Sequence, residues 1–144
     1  MKTNLKKMKI PVSGFRYCWL LMLLAGVILS GCEKEPGRGG KATIYGKVYV
    51  KDYNATMTVL EQEYYGPDIW VYIIYGDDRD YGDRIRTGYD GTYEFKYLRE
   101  GTYHVYAYSK DSTLQSVAEI PVTRDVVVPN KKQDIEIPEI VIFK

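Results

Sequence analysis

The residues from Thr87 to Ala107 constrain the fold most strongly, because their side chains alternate between apolar and polar with a period of two. This period is typical of a β-strand whose two faces meet different surroundings. Tyr93 and Phe95 share one face of a first strand, and the Asp90-Gly91 dipeptide before them is typical of a tight turn. The alternation resumes after Gly101, where Tyr103 and Val105 again share one face. The stretch therefore predicts two short strands of a small β-sandwich.

Further strand patterns occur at the spacing typical of a sandwich, and no helical period longer than a turn or two appears after residue 32. The run Asp68–Tyr75 is apolar on both faces, which predicts a central strand that is covered on its outer side as well. The sequence around residues 51–67 is a longer connection with a short strand pattern at 56–60. The other predicted strands are 42–50, 84–87, 116–122 and 134–143.

The last predicted strand changes the parity of its apolar positions. Ile135 and Ile137 are odd-numbered, whereas Ile140 and Ile142 are even-numbered. A strand with a period of two changes parity only through an extra residue, and proline cannot donate a hydrogen bond to a neighbouring strand. The pattern therefore predicts a β-bulge at Pro138-Glu139.

The stretch D-G-T-Y-E-F-K-Y-L-R-E-G-T-Y-H-V resembles the D-x-x-G-x-Y-x-F-x-x-L-x-x-G-x-Y-x-V signature of transthyretin-like sandwiches, although the spacing after the aspartate is shorter. That group includes the carboxypeptidase regulatory-like and Cna B-type domains. The resemblance implies an all-β fold, a single seven-stranded antiparallel Greek-key β-sandwich. Such domains are mostly accessory or adhesive and share no active site, so the resemblance implies no enzymatic activity. The matched residues are Asp90, Gly91, Tyr93, Phe95, Leu98, Gly101, Tyr103 and Val105.

The N-terminus has the organisation of a signal peptide. Residues 1–16 carry five basic side chains and no acidic one, and an apolar run of 12 residues follows at Cys18–Leu29. This run is shorter than the roughly 20 residues that span a bilayer, so it predicts a signal h-region. The next motif, Leu29-Ser30-Gly31-Cys32, resembles the bacterial lipobox. It implies cleavage before Cys32 and attachment of lipid to that thiol.

These patterns predict three segments: a lipoprotein signal peptide at residues 1–31, a lipidated cysteine with a flexible tether at 32–41, and the β-sandwich at 42–144. The tether contains three glycines and a proline, which do not pack a core. Glu33 and Glu35 resemble an acidic export signal of Bacteroidetes-type lipoproteins, and a plain solvated linker is the alternative. The predicted location is therefore a bacterial cell envelope, at the outer membrane. The periplasmic face and the external face of that membrane are alternatives.

The net charge and the number of cysteines indicate which kinds of partner and which covalent links the processed chain can have. The chain has 20 basic and 19 acidic residues, and removal of residues 1–31 takes away five basic ones, which leaves a net charge of −4. A mildly acidic domain is a poor partner for nucleic acid, so membrane association is expected through the lipid. Only one of the two cysteines follows the predicted cleavage site, so the processed chain would have no internal disulfide.

The sequence offers little chemistry for catalysis or for a cofactor. The single histidine, His104, is predicted on the outward face of its strand, and no zinc-type spacing or phosphate-binding loop is present. No cofactor is therefore expected. The acidic turn after Tyr75 offers a weak calcium candidate in Asp78, Asp80 and Asp83, for which an ordinary solvated turn is the alternative.

The aromatic content is the strongest indication of function, because the chain has 15 tyrosines, 14 of them after the predicted cleavage site. The transthyretin-like resemblance implies that the strands 68–75 and 102–109 share a sheet. Trp70, Tyr72, Tyr106 and Tyr108 would then form an outward patch. Such a patch binds sugar rings or protein partners. The alternative is that the connection 51–67 folds over this face and makes a second small core.

The sequence thus predicts an envelope-anchored, non-enzymatic binding or accessory module for a glycan or an envelope protein. A structural subunit of a surface assembly, joined through an exposed sheet edge, is the alternative.

Overall fold

The computed structural model describes residues 35–144, which form nine β-strands in two sheets and no helix. None of these residues therefore forms a helix that could cross a membrane. The two sheets share one apolar core, to which the strands β1, β3, β5 and β6 contribute most of the fully buried side chains. The strands are β1 (Arg38–Tyr53), β2 (Leu60–Tyr65), β3 (Trp70–Tyr75), β4 (Asp83–Arg86), β5 (Thr92–Leu98), β6 (Gly101–Ser109), β7 (Ile120–Val128), β8 (Asp134–Glu136) and β9 (Ile140–Phe143).

The all-β class and the two-sheet, sandwich-like arrangement confirm the expectation from the sequence, whereas the strand number and direction differ. The described residues hold nine strands where seven were predicted, because β2 pairs as a full strand and the last predicted strand divides into β8 and β9. Both β8 and β9 pair with β1 in parallel, so the five-stranded sheet is not purely antiparallel. The second sheet has the order β4-β3-β6-β7 and is antiparallel throughout.

Strand β1 is the centre of the five-stranded sheet, because all four of the other strands pair with it. Val48 shows how two of them share one edge: its N–H donates to Gly91, and its carbonyl accepts from Gly66. The N–H and C=O of one residue point to the same side of a strand, so β5 and β2 follow one another along that edge. Strands β8 and β9 occupy the opposite edge.

Gly91 lies where the ends of β2 and β5 meet on β1. It has φ = +74°, and a Cβ at this position would lie 2.8 Å from the carbonyl oxygen of Val48 and 2.9 Å from the Cβ of Tyr65. Both the positive φ and the close approach favour glycine. The turn predicted from Asp90-Gly91 therefore also brings two strands together.

The parity change in the last predicted strand is a β-bulge, as expected. Ile44 pairs with Ile135 and Val48 pairs with Ile140, so four steps along β1 correspond to five steps along the β8–β9 segment. The extra residue lies between β8 and β9, where Pro138 follows Ile137. As a result Ile137, Ile140 and Ile142 are all buried.

Strand β1 begins four residues before the predicted domain boundary at residue 42, within the segment assigned to the tether. The buried Tyr103 hydroxyl accepts a hydrogen bond from the Gly37 N–H at 3.0 Å and donates one to the Arg99 carbonyl at 2.8 Å. Pro36 packs so closely against the β5–β6 turn that a Cβ on Gly101 would lie 2.5 Å from its Cγ. The residues from Pro36 onward are therefore part of the folded body.

Two strand boundaries were predicted wrongly. The strand expected at 116–122 is β7, which runs from Ile120 to Val128 and buries Val126 and Val128. The short strand expected at 56–60 is β2, which begins only at Leu60. In both regions the residues before the strand form tight turns around an acidic or amide side chain, Asp111 and Asn54, and these polar contacts keep the chain out of the sheets.

Candidate functional site

The outer face of the four-stranded sheet gathers aromatic side chains from two adjacent strands and one turn. Strands β3 and β6 belong to one sheet, as the resemblance implied, and they are neighbours in it, with Tyr72 directly opposite Tyr106. Residues two apart on a strand share a face, so Trp70 and Tyr108 join them. Tyr81 of the β3–β4 turn packs against Tyr72. We call this set the outer aromatic face: Trp70, Tyr72, Tyr81, Tyr106 and Tyr108.

Tyr72 is the centre of the outer aromatic face. Its ring is stacked on Tyr106 with 5.1 Å between centroids and 12° between planes. The rings of Tyr81 and Tyr108 meet it edge to face, at 5.1 Å and 5.6 Å. These distances are typical of favourable aromatic pairs, so the tyrosines hold one another in place. The structure thus brings together the predicted Tyr72, Tyr106 and Tyr108 in one cluster.

The members of this face differ in how much ring they leave to solvent. Tyr106 is only 8% exposed, whereas Tyr108 and Tyr81 are 42% and 46% exposed. Burial, reinforced by the neighbouring tyrosines, raises the pKa of Tyr106 to about 12. Tyr106 therefore packs against its neighbours and offers little ring area to a ligand, whereas Tyr81 and Tyr108 have exposed ring area that a ligand can contact.

Trp70 has a different environment from the tyrosines. Arg84 and Arg86 of β4 each place the guanidinium carbon 4.4 Å from the Trp70 ring centroid. Arg86 lies opposite Trp70 in the strand register and forms an ion pair with Asp68. Arg84 lies opposite Tyr72 and is 5.9 Å from the Tyr81 ring centroid. The two arginines cover Trp70, which leaves it half-buried, and add positive charge beside the tyrosines.

The connection at residues 51–67 does not cover this face, so the alternative of a second small core under that loop is wrong. β2, which makes up the end of the connection, pairs with β1 in the other sheet. There the ring of Tyr65 packs on Tyr49, and its hydroxyl donates to Glu139. The strand β3 is half-covered on its outer side by its own neighbours, chiefly through Tyr81 and the β4 arginines.

Sequence reasoning missed Tyr81 and the two arginines. The alternation of Arg84 and Arg86 around Ile85 placed them on one face of β4, but the sequence did not show which strand lies beside β4. Tyr81 belongs to a turn, where alternation gives no direction. The sequence did contain one signal for these residues: a single aromatic residue, Tyr81, in a polar turn that is followed by a strand with two arginines.

The remaining candidates lie elsewhere. His104 is on the same sheet face, and its Nδ1 is 2.6 Å from the Asp125 carboxylate on β7. Within residues 35–144 no three His, Cys, Asp or Glu side chains are arranged to hold a metal ion, and Asp83 is paired with Arg38. Asp78 and Asp80 are therefore not joined to Asp83 as ligands. Cys32, the predicted lipid attachment site, lies outside the described residues.

The fold and this surface define an all-β, two-sheet protein of the sandwich type with an aromatic outer face. Comparison of the chain with protein-family models and with curated proteins finds no match. Among solved structures, the chain is similar to the crystal structure of a Pseudomonas aeruginosa protein that has been proposed to bind carbohydrate. The TM-score is 0.44 and the sequences are 15% identical, over 75% of this chain and 91% of that one. The fold assigned here depends on the strand pairing above, and the transthyretin-like resemblance stays a prediction.

Proposed function

We propose that this protein is a non-enzymatic binding module that holds a glycan on the outer aromatic face. The observation that supports the proposal most directly is the pair of exposed rings, Tyr81 and Tyr108, that flank Tyr72. A pyranose ring has an apolar face of C–H groups and a rim of hydroxyls. A tyrosine matches both, because its ring offers apolar area and its phenol offers a hydrogen-bonding tip.

The packing of the outer aromatic face also supports a binding role, because it holds the exposed rings in place before a ligand binds. Tyr72 contacts both exposed rings edge to face, and Tyr106 contacts Tyr108 in the same way, so these rings lose little side-chain freedom when a ligand binds. Carbohydrates bind weakly, and a preformed platform reduces the entropic cost of binding them.

The test is a glycan array followed by calorimetric titration of the best ligand with the variants Tyr81→Ala and Tyr108→Ala. We expect each variant to bind about tenfold more weakly, as loss of one aromatic contact and its buried area implies. Tyr89→Ala is the matched control, because Tyr89 is 99% exposed and lies in the β4–β5 connection. Unchanged affinity in the Tyr81/Tyr108 double variant would reject the proposal. Release of glycan fragments during incubation would reject its non-enzymatic part.

We also propose that the module is held at a bacterial cell envelope, at the outer membrane, by lipid on Cys32. The proposal is supported by the lipobox-like Leu29-Ser30-Gly31-Cys32 and by the basic and apolar segments before it. Labelled palmitate should enter the wild-type chain in cells and should not enter the Cys32→Ala variant. Equal labelling of the two would contradict it.

A structural role by strand addition is the second candidate, and one observation favours it. Strand β7 is the last strand of the four-stranded sheet and spans nine residues. However, it carries Pro121, Arg124 and Asp125, and prolines and charges of this kind protect a sheet edge against pairing. If strand addition is the function, Val127→Pro should abolish assembly of purified protein while glycan binding, if any, stays unchanged.

A further inference from the structure

We propose that the glycan site takes an acidic sugar and that Arg84 binds its carboxylate; this inference depends on the proposed function. Three of the carboxylates in and next to the strands of this sheet are already paired. Asp68 pairs with Arg86, Asp83 with Arg38, and Asp125 with His104. Arg84 forms no ion pair with any carboxylate of residues 35–144.

Arg84 is held in a way that leaves its hydrogen-bond donors free. Its guanidinium carbon lies 4.4 Å from the Trp70 ring centroid and 5.9 Å from the Tyr81 ring centroid, and both contacts are with aromatic rings. The N–H donors of a guanidinium lie in its plane and form a fork that fits a carboxylate with two parallel hydrogen bonds. A cation–π contact involves no acceptor oxygen, so the N–H fork of Arg84 stays available to a carboxylate.

The position of Arg84 matches the position of the exposed rings. It lies opposite Tyr72, which contacts both Tyr81 and Tyr108. A sugar stacked on Tyr81 would bring a substituent of its ring toward the Arg84 guanidinium, which is 5.9 Å from the Tyr81 ring centroid. In a uronic acid this substituent is the carboxylate itself, whose carbon is C6 and is attached to C5 of the pyranose ring.

The acidic turn limits where the negative charge of a ligand can lie. Asp77, Asp78 and Asp80 follow the far end of β3 from Trp70 and form no ion pair among residues 35–144. They would repel a carboxylate placed at that end of the sheet. Arg84 lies near Tyr81 of this turn but extends from β4 opposite Tyr72, so the carboxylate is expected on the Arg84 guanidinium and away from these three aspartates.

The experiment measures binding of the full chain to oligomers of galacturonate, glucuronate and mannuronate, each beside its carboxyl-reduced form, in which every carboxylate is a hydroxymethyl group. Wild-type protein should prefer at least one oligouronate over its reduced form by about ten- to hundredfold, as expected for a charge-assisted hydrogen-bonded pair. The preference should shrink as salt is raised.

Three variants distinguish the effect of the Arg84 guanidinium from the effect of a change in net charge and from a loss of folding. Arg84→Gln should lose the preference, Arg84→Lys should keep part of it, and Lys96→Gln on the other sheet should keep all of it. Circular dichroism confirms that each variant is folded. Equal binding of charged and reduced oligomers, or a preference that survives Arg84→Gln, overturns the acidic-sugar inference and leaves the glycan proposal standing. No binding of any oligomer, charged or neutral, on this panel or the array overturns both.

Discussion

Tyr106 and Tyr108 lie two residues apart on the same face of β6, yet one is nearly buried and the other is open to solvent. Tyr106 lies opposite Tyr72 in the middle of the sheet, and the two rings are stacked against each other. Tyr108 meets the same ring only at its edge. Sequence alternation assigns a residue to a face, but the depth of a side chain depends on its neighbours across the sheet.

The burial of Tyr106 leads to a prediction for alkaline pH. Its pKa is raised in the folded state from an ordinary value of 10.0 to about 12, so the folded state favours the neutral phenol. The stability linked to this group is fully present below pH 10 and is lost as the pH rises from 10 to about 12. Circular dichroism during a pH titration should show unfolding in that range, and Tyr106→Phe should unfold at higher pH.

The matched control for this titration is Tyr89→Phe, whose hydroxyl is removed from a fully exposed side chain. It should unfold at the same pH as the wild type. Tyr93 and Tyr103 also have raised pKa values because of burial, so the Tyr106→Phe variant still unfolds in alkali. Identical curves for Tyr106→Phe and the wild type would contradict the prediction.

A second prediction at this scale concerns Gly91. In Gly91→Ala the new Cβ would approach the Val48 carbonyl oxygen at 2.8 Å in a backbone with φ = +74°. Strain of both kinds should lower the free energy of unfolding by about 2–4 kcal/mol. Gly88→Ala is the control, because its Cβ would have no neighbour nearer than 3.4 Å, and it should cost less than about 1 kcal/mol. Denaturant titration measures both, and equal losses would contradict the argument.

At the scale of elements, the bulge between β8 and β9 was predictable because two local rules conflicted. The apolar parity changes at Pro138, and only an extra residue lets Ile137 and Ile140 point into the same core. The division into parallel strands was not predictable, since it depends on the length of β1, which offers both registers to the same segment. The start of β7 was missed because residues 111–116 fold around Asp111, a local contact that no periodicity reveals.

The bulge predicts opposite outcomes for neighbouring residues of β9. Ile140 is fully buried and Val141 points to the outer side. Ile140→Lys should unfold the protein, since an unpaired charge in the core costs more than about 4 kcal/mol. Val141→Lys should change the free energy of unfolding by less than about 1 kcal/mol. Thermal denaturation followed by circular dichroism compares the two, and a reversed order would show that the register is wrong.

For the whole molecule, the residues before the predicted boundary at 42 are held by both sheets. Tyr103 binds Gly37, Pro36 packs on the β5–β6 turn, and Arg38 pairs with Asp83. Sequence composition could not show this, because Gly37, Gly39 and Gly40 also suit a flexible tether. The same glycines allow close approach: a Cβ on Gly40 would lie 1.8 Å from the Leu98 carbonyl oxygen.

This docking predicts that a chain starting at Glu35 is more stable than one starting at Ala42. The shorter chain loses the hydrogen bond to the Tyr103 hydroxyl and leaves that buried group short of a partner, which should cost about 2–4 kcal/mol in total. Urea denaturation of both chains measures the difference. Equal midpoints would mean that residues 35–41 contribute nothing to the fold.

The candidate site was predicted in outline only, because its parts come from different levels of structure. The pairing of β3 with β6 and the outward direction of Tyr72 and Tyr108 follow from strand alternation and the transthyretin-like resemblance. Tyr81 and Arg84 reach the site through a turn conformation and a cross-strand register. Both are set by the folded sheet, so they became visible only in three dimensions.

The central position of β1 also determines the order in which the molecule can be completed. One edge of this strand pairs with β8 and β9, which are distant from it in sequence, since Ile44 pairs with Ile135 and Val48 with Ile140. Until they arrive, that edge has unfilled hydrogen bonds and the core lacks three isoleucines, Ile137, Ile140 and Ile142. Contacts between residues so distant in sequence form slowly, so we expect the five-stranded sheet to be completed late in folding.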